Sequence, residues 1–213
     1  LLAPELGFDI LDVIHAPEAD RAAATERLRD TSVAQPAIFA LSYALARQWQ
    51  HWGVEPALMV GHSIGEFVAA TLAGVMAQPD ALELIALRGR LMAGLPRGAM
   101  LSVRASEAEI APYLGAGMDL AAVNGPKLCV LAGPETAAAD LTPRLEAAGL
   151  AVSALHTSHA FHSQMMEPAV EPFRAAVARM RLQGPAIPIL STVTGDWLSA
   201  NEARDPSYSA DHM

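Results

Sequence analysis

Apolar residues at Ile38, Leu41, Leu45 and Trp49 recur at helical spacing and predict a long amphipathic helix over residues 36–52. Its apolar stripe is expected to face a core. Thr31 and Ser32 offer an N-cap, and Gly53 ends the run. The short apolar stretch 58–60 predicts a buried strand, and the small, apolar residues 67–75 predict a buried helix. Asp80 opens another helix, 81–95, with Leu84, Leu87 and Leu91 on one face. Residues 1–31 read as a polar lead-in with helical character at 19–28.

From residue 99 the pattern changes. Residues 99–104 predict a strand, and 106–114 a short helix with Ser106 as cap and Glu109 in the capping-box position. Strands at 118–123 and 128–131 flank a turn, Asn124-Gly125-Pro126-Lys127. A helix at 136–148 ends at Gly149, and a strand follows at 150–155. The order β-α-β-β-α-β is the ferredoxin-like pattern. A loop at 159–163, a helix at 165–180, a short strand at 185–190 and a polar tail complete the chain. The expected architecture is α/β: a large α/β-hydrolase-like subdomain (1–97 and 158–213) carrying an inserted ferredoxin-like small subdomain (98–157).

Composition narrows the partners. The 213 residues are 52% hydrophobic and 17% charged, with a formal net charge of −9. That is enough apolar material for a substantial core. The acidic balance and the lack of any basic run argue against nucleic acid and give no reason to expect an anionic membrane surface. No stretch approaches the ~20 apolar residues of a membrane span, and no signal peptide is visible. Cys129 is the sole cysteine, so no internal disulfide is expected, which fits a reducing, cytoplasmic setting. The chain opens Leu1-Leu2-Ala3-Pro4 without a methionine and is expected to be a piece of something longer.

The chemistry centres on Gly61-His62-Ser63-Ile64-Gly65, a G-x-S-x-G set between the predicted strand and helix. Glycines flanking such a turn let the backbone pass close and leave the serine hydroxyl exposed at the tip. A serine there can also simply cap the helix; the strand before and the helix after favour a nucleophile. The amide of Ile64 is then the first oxyanion donor. A serine nucleophile needs a base. Of seven histidines, His156, His159 and His162 cluster after the inserted lobe. Their H-x-x-H-x-x-H spacing falls on a strand-to-loop segment that would scatter the imidazoles, so no metal is expected. Arg88, as a helix arginine, reads first as a solvated group or an ion-pair partner.

Residues 61–66 (GHSIGE), Arg88 within ALRGRLM, AAVNGP at 121–126 and SHAFHSQMMEP at 158–168 together resemble the acyltransferase domain of modular polyketide synthases. The family also includes the malonyl-CoA:acyl carrier protein transacylases of fatty acid synthesis. AQPAIFALSYALARQW (34–49) and DPSYSADHM (205–213) match its patterns as well, so the resemblance spans the chain.

That resemblance implies transfer of an acyl group from acyl-CoA, through an acyl ester on Ser63, to the phosphopantetheine of an acyl carrier protein. His162 corresponds to the catalytic base and Arg88 to the arginine that grips the malonate carboxylate. His159, Phe161, His62, Gln35 and Asn124 correspond to residues around the substrate. His212 falls near the segment whose backbone carbonyl orients the catalytic histidine. HAFH at 159–162 goes with malonyl selection in the family, Phe161 filling the space of an α-methyl group. No bound cofactor is implied; malonyl-CoA, the carrier protein and neighbouring synthase domains are the expected partners. The family's N-terminal GQG(S/A)Q and its later RxPVRF and EVGP segments are absent, and Ser209 stands where relatives have tryptophan. The alternatives are a free-standing transacylase of fatty acid synthesis, a serine hydrolase or thioesterase, and a decayed, non-catalytic scaffold domain.

Overall fold

The computed structural model describes all residues from Leu1 to Met213. In chain order the elements are α1 (Ala3–Leu6), α2 (Ile10–Ile14), α3 (Arg21–Arg27), α4 (Thr31–His51), β1 (Met59–Val60), α5 (Ile64–Leu72) and α6 (Gln78–Ala93). They continue as β2 (Ala99–Val103), α7 (Glu107–Ile110), β3 (Asp119–Gly125), β4 (Leu128–Gly133), α8 (Glu135–Ala147) and β5 (Val152–Ala154). The last are α9 (Glu167–Val177), β6 (Ile189–Leu190), α10 (Ala200–Arg204) and α11 (Pro206–Ala210). The chain forms two compact units, one of residues 1–93 with 170–212, the other of residues 94–169 with Met213. No helix is long and apolar enough to cross a membrane.

The first unit joins a parallel strand pair to packed helices. β1 pairs with β6, Met59 opposite Ile189 and Val60 opposite Leu190. α5 is buried almost all round, through Ile64, Glu66, Phe67, Val68, Ala69, Ala70 and Thr71. α4 begins earlier than its apolar periodicity implies, because Asp30, not Thr31 or Ser32, accepts the Ser32 amide as N-cap. It packs closely on α6 at one point: a Cβ on Gly89 would lie 2.9 Å from Ser32 Cα.

Three expectations for this unit need correction. The stripe Ile38, Leu41, Leu45 and Trp49 is 49–58% exposed, and the buried residues of α4 are Thr31, Val33, Gln35, Pro36, Ala37 and Phe39. Burial follows where α5 and α6 dock, on the first half of the helix. Only Met59 and Val60 form the strand that leads into Ser63, and Val60 is 60% exposed, so that strand is not buried. The tail is not merely polar: α10 and α11 bury Ala203, Tyr208, Ser209 and Ala210, with Ser199 and Asp205 capping the two helices.

The second unit is the ferredoxin-like lobe. Its antiparallel sheet has the order β3-β4-β2-β5, and β2-α7-β3-β4-α8-β5 is the βαββαβ sequence. Strand alternation sorts the sheet's two faces. Leu101, Val103, Cys129 and Leu131 pack with Ile110, Leu141 and Leu145. Met100, Val130 and Ala132 pack on the opposite face with Ala160, Phe161 and Met165. The Ser106–Glu109 capping box forms as the sequence suggests. Asn124 lies within β3, and the hairpin turn is only Pro126-Lys127, so the expected four-residue turn is shorter.

Candidate active site

In the first unit the chain turns from β1 into α5 at Ser63. Ser63 has φ 50° and ψ −113°, a sparsely populated conformation, and its side chain makes no capping hydrogen bond to the helix. The tightness of the turn explains Gly61: a Cβ there would lie 2.1 Å from Gly65 C and 2.2 Å from Glu66 N. Gly65, by contrast, has open space where a Cβ would go. The Gly65 and Glu66 amides close back on the His62 and Ser63 carbonyls. Ile64 is buried and His62 is exposed at the tip.

Arg88, on α6, is 2% exposed. Its Nη1 donates to Gln35 Oε1 at 2.6 Å and its Nη2 to the backbone oxygen of His212 at 2.7 Å, while Nε has no partner. Both acceptors are neutral, and no carboxylate lies within ion-pair distance of it. The guanidinium carbon sits 5.9 Å from the Phe67 ring centroid. Burial alone pushes its pKa down to about 9. A helix arginine usually keeps its head in water; this one is enclosed and unneutralised. Gln35 is itself fixed, its Nε2 donating to Thr31 Oγ1 at 2.8 Å.

Beneath the turn lies a network that the sequence reading missed. Glu66, 3% exposed, accepts from the Tyr208 hydroxyl, from His212 Nε2 at 3.0 Å, and from Thr192 N and Oγ1 at 2.9 Å each. Ser191 Oγ lies 2.6 Å from the Tyr208 hydroxyl. Burial pushes the Glu66 carboxyl up, but the hydrogen bond and charge of His212, with the Thr192 and Tyr208 bonds, outweigh it and hold it below its usual 4.5. The available signal was a carboxylate heading the apolar run after Ser63.

In the second unit, residues 158–163 form a loop fixed by its own contacts. His159 is buried. Its Nε2–H donates to the Leu95 carbonyl at 3.1 Å, and its Nδ1 accepts from Ser158 Oγ at 2.7 Å. Both ring nitrogens are thereby engaged within the protein. Phe161 is half-buried on the sheet face lined by Met100, Val130 and Ala132. His162 has φ 59°, and its backbone amide donates to the Met213 oxygen at 3.3 Å. Only three non-glycine residues have positive φ; two are Ser63 and His162, and the third, Ala116, sits in a turn between glycines. Asn124 is exposed at the end of β3. No group of three or more His, Cys, Asp or Glu side chains is arranged to hold a metal ion. The structure thus brings Arg88, Gln35 and the His212 backbone into one cluster, in the unit that also carries the Ser63 turn.

The strained serine at the strand-to-helix turn and the buried, unneutralised arginine lie in one unit of an α/β fold. The family model of the acyl transferase domain matches residues 1–212, and the chain belongs to that family, in the form found in polyketide synthases. It is 44% identical over 187 residues to mycoketide-CoA synthase of Mycobacterium tuberculosis, covering 87% of this chain and 4% of that protein. The crystal structure of the acyltransferase domain from the second module of the salinomycin polyketide synthase superposes with TM-score 0.88 at 41% identity, over 99% of this chain and 49% of that one. The malonyl CoA-acyl carrier protein transacylase from Burkholderia pseudomallei gives TM-score 0.82 at 30% identity, over 99% of this chain and 72% of that one. The chain therefore spans a small part of the synthases it matches and about half of the salinomycin domain.

Proposed function

We propose that this domain moves a malonyl group from malonyl-CoA, through an ester on Ser63, to the phosphopantetheine thiol of an acyl carrier protein, as a chain-extension step in polyketide assembly. His162 takes the proton of the Ser63 hydroxyl as Oγ attacks the thioester carbonyl. The Ile64 amide donates to the oxyanion. Collapse expels CoA, whose sulfur takes that proton from His162. The carrier thiol then gives its proton to His162 and attacks the ester, and Ser63 recovers the proton as it leaves. His159 holds the loop that bears His162, and Asn124 and His62 line the acyl group's approach.

One observation carries the choice of a carboxylated acyl group: Arg88 is buried, charged and held by neutral acceptors only. A guanidinium in that state binds a carboxylate bidentately and is left unsatisfied by acetyl. Phe161 supports malonyl over methylmalonyl, since a filled pocket rejects one added methyl by about 10–200-fold.

The test is intact-mass spectrometry of the full-length protein carrying this domain after incubation with malonyl-, methylmalonyl- or acetyl-CoA. A malonyl adduct on Ser63, absent in Ser63→Ala and discharged by an acyl carrier protein rather than by water, is expected. Equal labelling by acetyl and malonyl would overturn the substrate class. Discharge to water alone would make the domain a hydrolase.

A further inference from the structure

His162 holds a left-handed φ of 59°, which a residue with a side chain keeps only where its surroundings over-determine the backbone. Two anchors supply that constraint, one on each side of His162, and both lead to the sheet of the ferredoxin-like lobe. Before His162, Ala160 is fully buried against Met100, Val130 and Ala132. The packing is so close that a Cβ on Gly98 would lie 2.7 Å from the Ala160 Cβ. The Ser163 hydroxyl donates back to the Ala160 carbonyl at 2.6 Å. After His162, the Gln164 amide donates to Asp119 Oδ2 at 2.8 Å.

The register of the sheet explains how Asp119 meets that amide. Asp119 opens β3 opposite Ala132 of β4. Residues directly opposite on paired strands share a face, and Ala132 lies on the face that packs Ala160, Phe161 and Met165. The Asp119 carboxylate therefore stands on the side of the sheet that carries the loop. Gln164 begins the short helical turn, Gln164–Met166, that leads into α9, and the first amides of such a turn have no helical partner. Ser163 Oγ takes the Met165 amide, which leaves the Gln164 N–H to Asp119. An ionised acceptor makes that bond about twice as strong as a neutral one would.

We infer that Asp119 is a positioning residue for His162: by holding the Gln164 amide it fixes the far side of the strained loop, and with it the direction in which the His162 ring is presented. This role rests on the reading of His162 as the base. Asp119 acts through the backbone, two residues along the chain from the ring it aims. The near side of the loop is held separately, by the packing of Ala160 and Phe161, so loss of the Asp119 contact frees one end of the loop and not both.

The experiment measures loading of the full-length protein by malonyl-CoA and by acetyl-CoA, per folded molecule, in Asp119→Ala, Asp119→Asn and Gln164→Pro. Asp119→Ala is expected to lower the maximal rate by about 10–100-fold for both thioesters, since misplacing a catalytic group by about 1 Å costs up to about 100-fold. Half-saturating concentrations should stay within about twofold, because no substrate contact is lost. Asp119→Asn keeps an acceptor oxygen and is expected to recover to within about threefold of wild type. Gln164→Pro removes the N–H and leaves the acceptor. Proline suits this first helical position after the extended Ser163 (φ −126°, ψ 170°), and the variant should reproduce the Asp119→Ala loss. It carries the comparison if Asp119→Ala does not fold. A cap with no part in aiming His162 gives a different result: a lower melting temperature, with wild-type rates per folded molecule. The deciding measurement is the cycle with His162→Ala, where Asp119→Ala should cost nothing further on the residual rate. Wild-type maximal rates in folded Asp119→Ala and Gln164→Pro, or an equal fractional loss with and without His162, overturn the inference. His162→Ala alone separates the two failures. If it loads like wild type, the base reading itself falls; if it abolishes most loading while the Asp119 and Gln164 variants load normally, only the role of Asp119 falls.

Discussion

Arg88 donates to the backbone oxygen of His212, a residue 124 positions further along the chain, at 2.7 Å. With Gln35 on the other side, the guanidinium is aimed but not neutralised. Neutral carbonyl acceptors direct the fork without cancelling its charge. A salt bridge would have cancelled it, and would have left nothing for a ligand to gain.

If Arg88 is the acyl-carboxylate clamp proposed above, replacing that side chain should separate substrates rather than abolish chemistry. Arg88→Ala is expected to cut kcat/KM for malonyl loading by about 100-fold or more while acetyl loading is retained or rises, because a charged hydrogen bond is worth about 1.5–3 kcal/mol and an unpaired buried guanidinium costs as much again. Arg88→Lys keeps charge but loses the fork and should fall between. Steady-state loading rates for the two thioesters check this.

The same burial gives a pH signature. Only a protonated Arg88 grips a carboxylate, and its pKa in the unliganded protein is pushed down to about 9. Malonyl affinity should hold below that pH and weaken by about tenfold per unit above it. Acetyl loading, which needs no clamp, should not share that limb. The ratio of the two pH–rate profiles isolates Arg88 from any titration of the base.

Glu66 predicts the behaviour in acid. Its carboxyl is held below the usual 4.5, so the folded state binds this proton less readily than the unfolded chain does. The stabilisation is complete above about pH 4.5 and is lost as pH falls through the lowered value of the folded state. Glu66→Gln should be less stable at neutral pH, because an amide cannot accept from all of Tyr208, His212 and Thr192. Its melting temperature should also decline less steeply between pH 5 and pH 3. Parallel declines in the two proteins would show that other carboxylates control acid unfolding.

These relationships were unevenly legible in the chain itself. The Ser63 turn was readable because its determinants are local: five adjacent residues between a short apolar run and a small-residue helix. The βαββαβ lobe was readable because alternation at Leu101 and Val103, and at Cys129 and Leu131, marks one face of a sheet. The outer stripe of α4 was misleading, since periodicity reveals that a helix has an apolar face but not which neighbours meet it. The tail hid its role for another reason. Tyr208 and His212 are buried through hydrogen bonds to a residue more than 140 positions away, and no local pattern encodes that.

The two glycines of the turn offer the sharpest check on its geometry, because they look equivalent in the sequence and are not equivalent in space. A methyl on Gly61 would meet backbone atoms of Gly65 and Glu66 at 2.1–2.3 Å, and backbone cannot rotate away as a side chain can. The start of α5 would have to shift, taking Ser63 and the buried Glu66 with it. Gly61→Ala is therefore expected to destabilise by more than about 4 kcal/mol, in the range reserved for forced backbone movement. Gly65→Ala meets nothing within 4 Å and lies inside α5, where alanine replaces glycine with a gain of about 0.5–1 kcal/mol. Chemical or thermal unfolding of the two variants should move in opposite directions from wild type. A Gly61→Ala protein as stable as its parent would mean that strand and helix do not approach at Ser63 as closely as described.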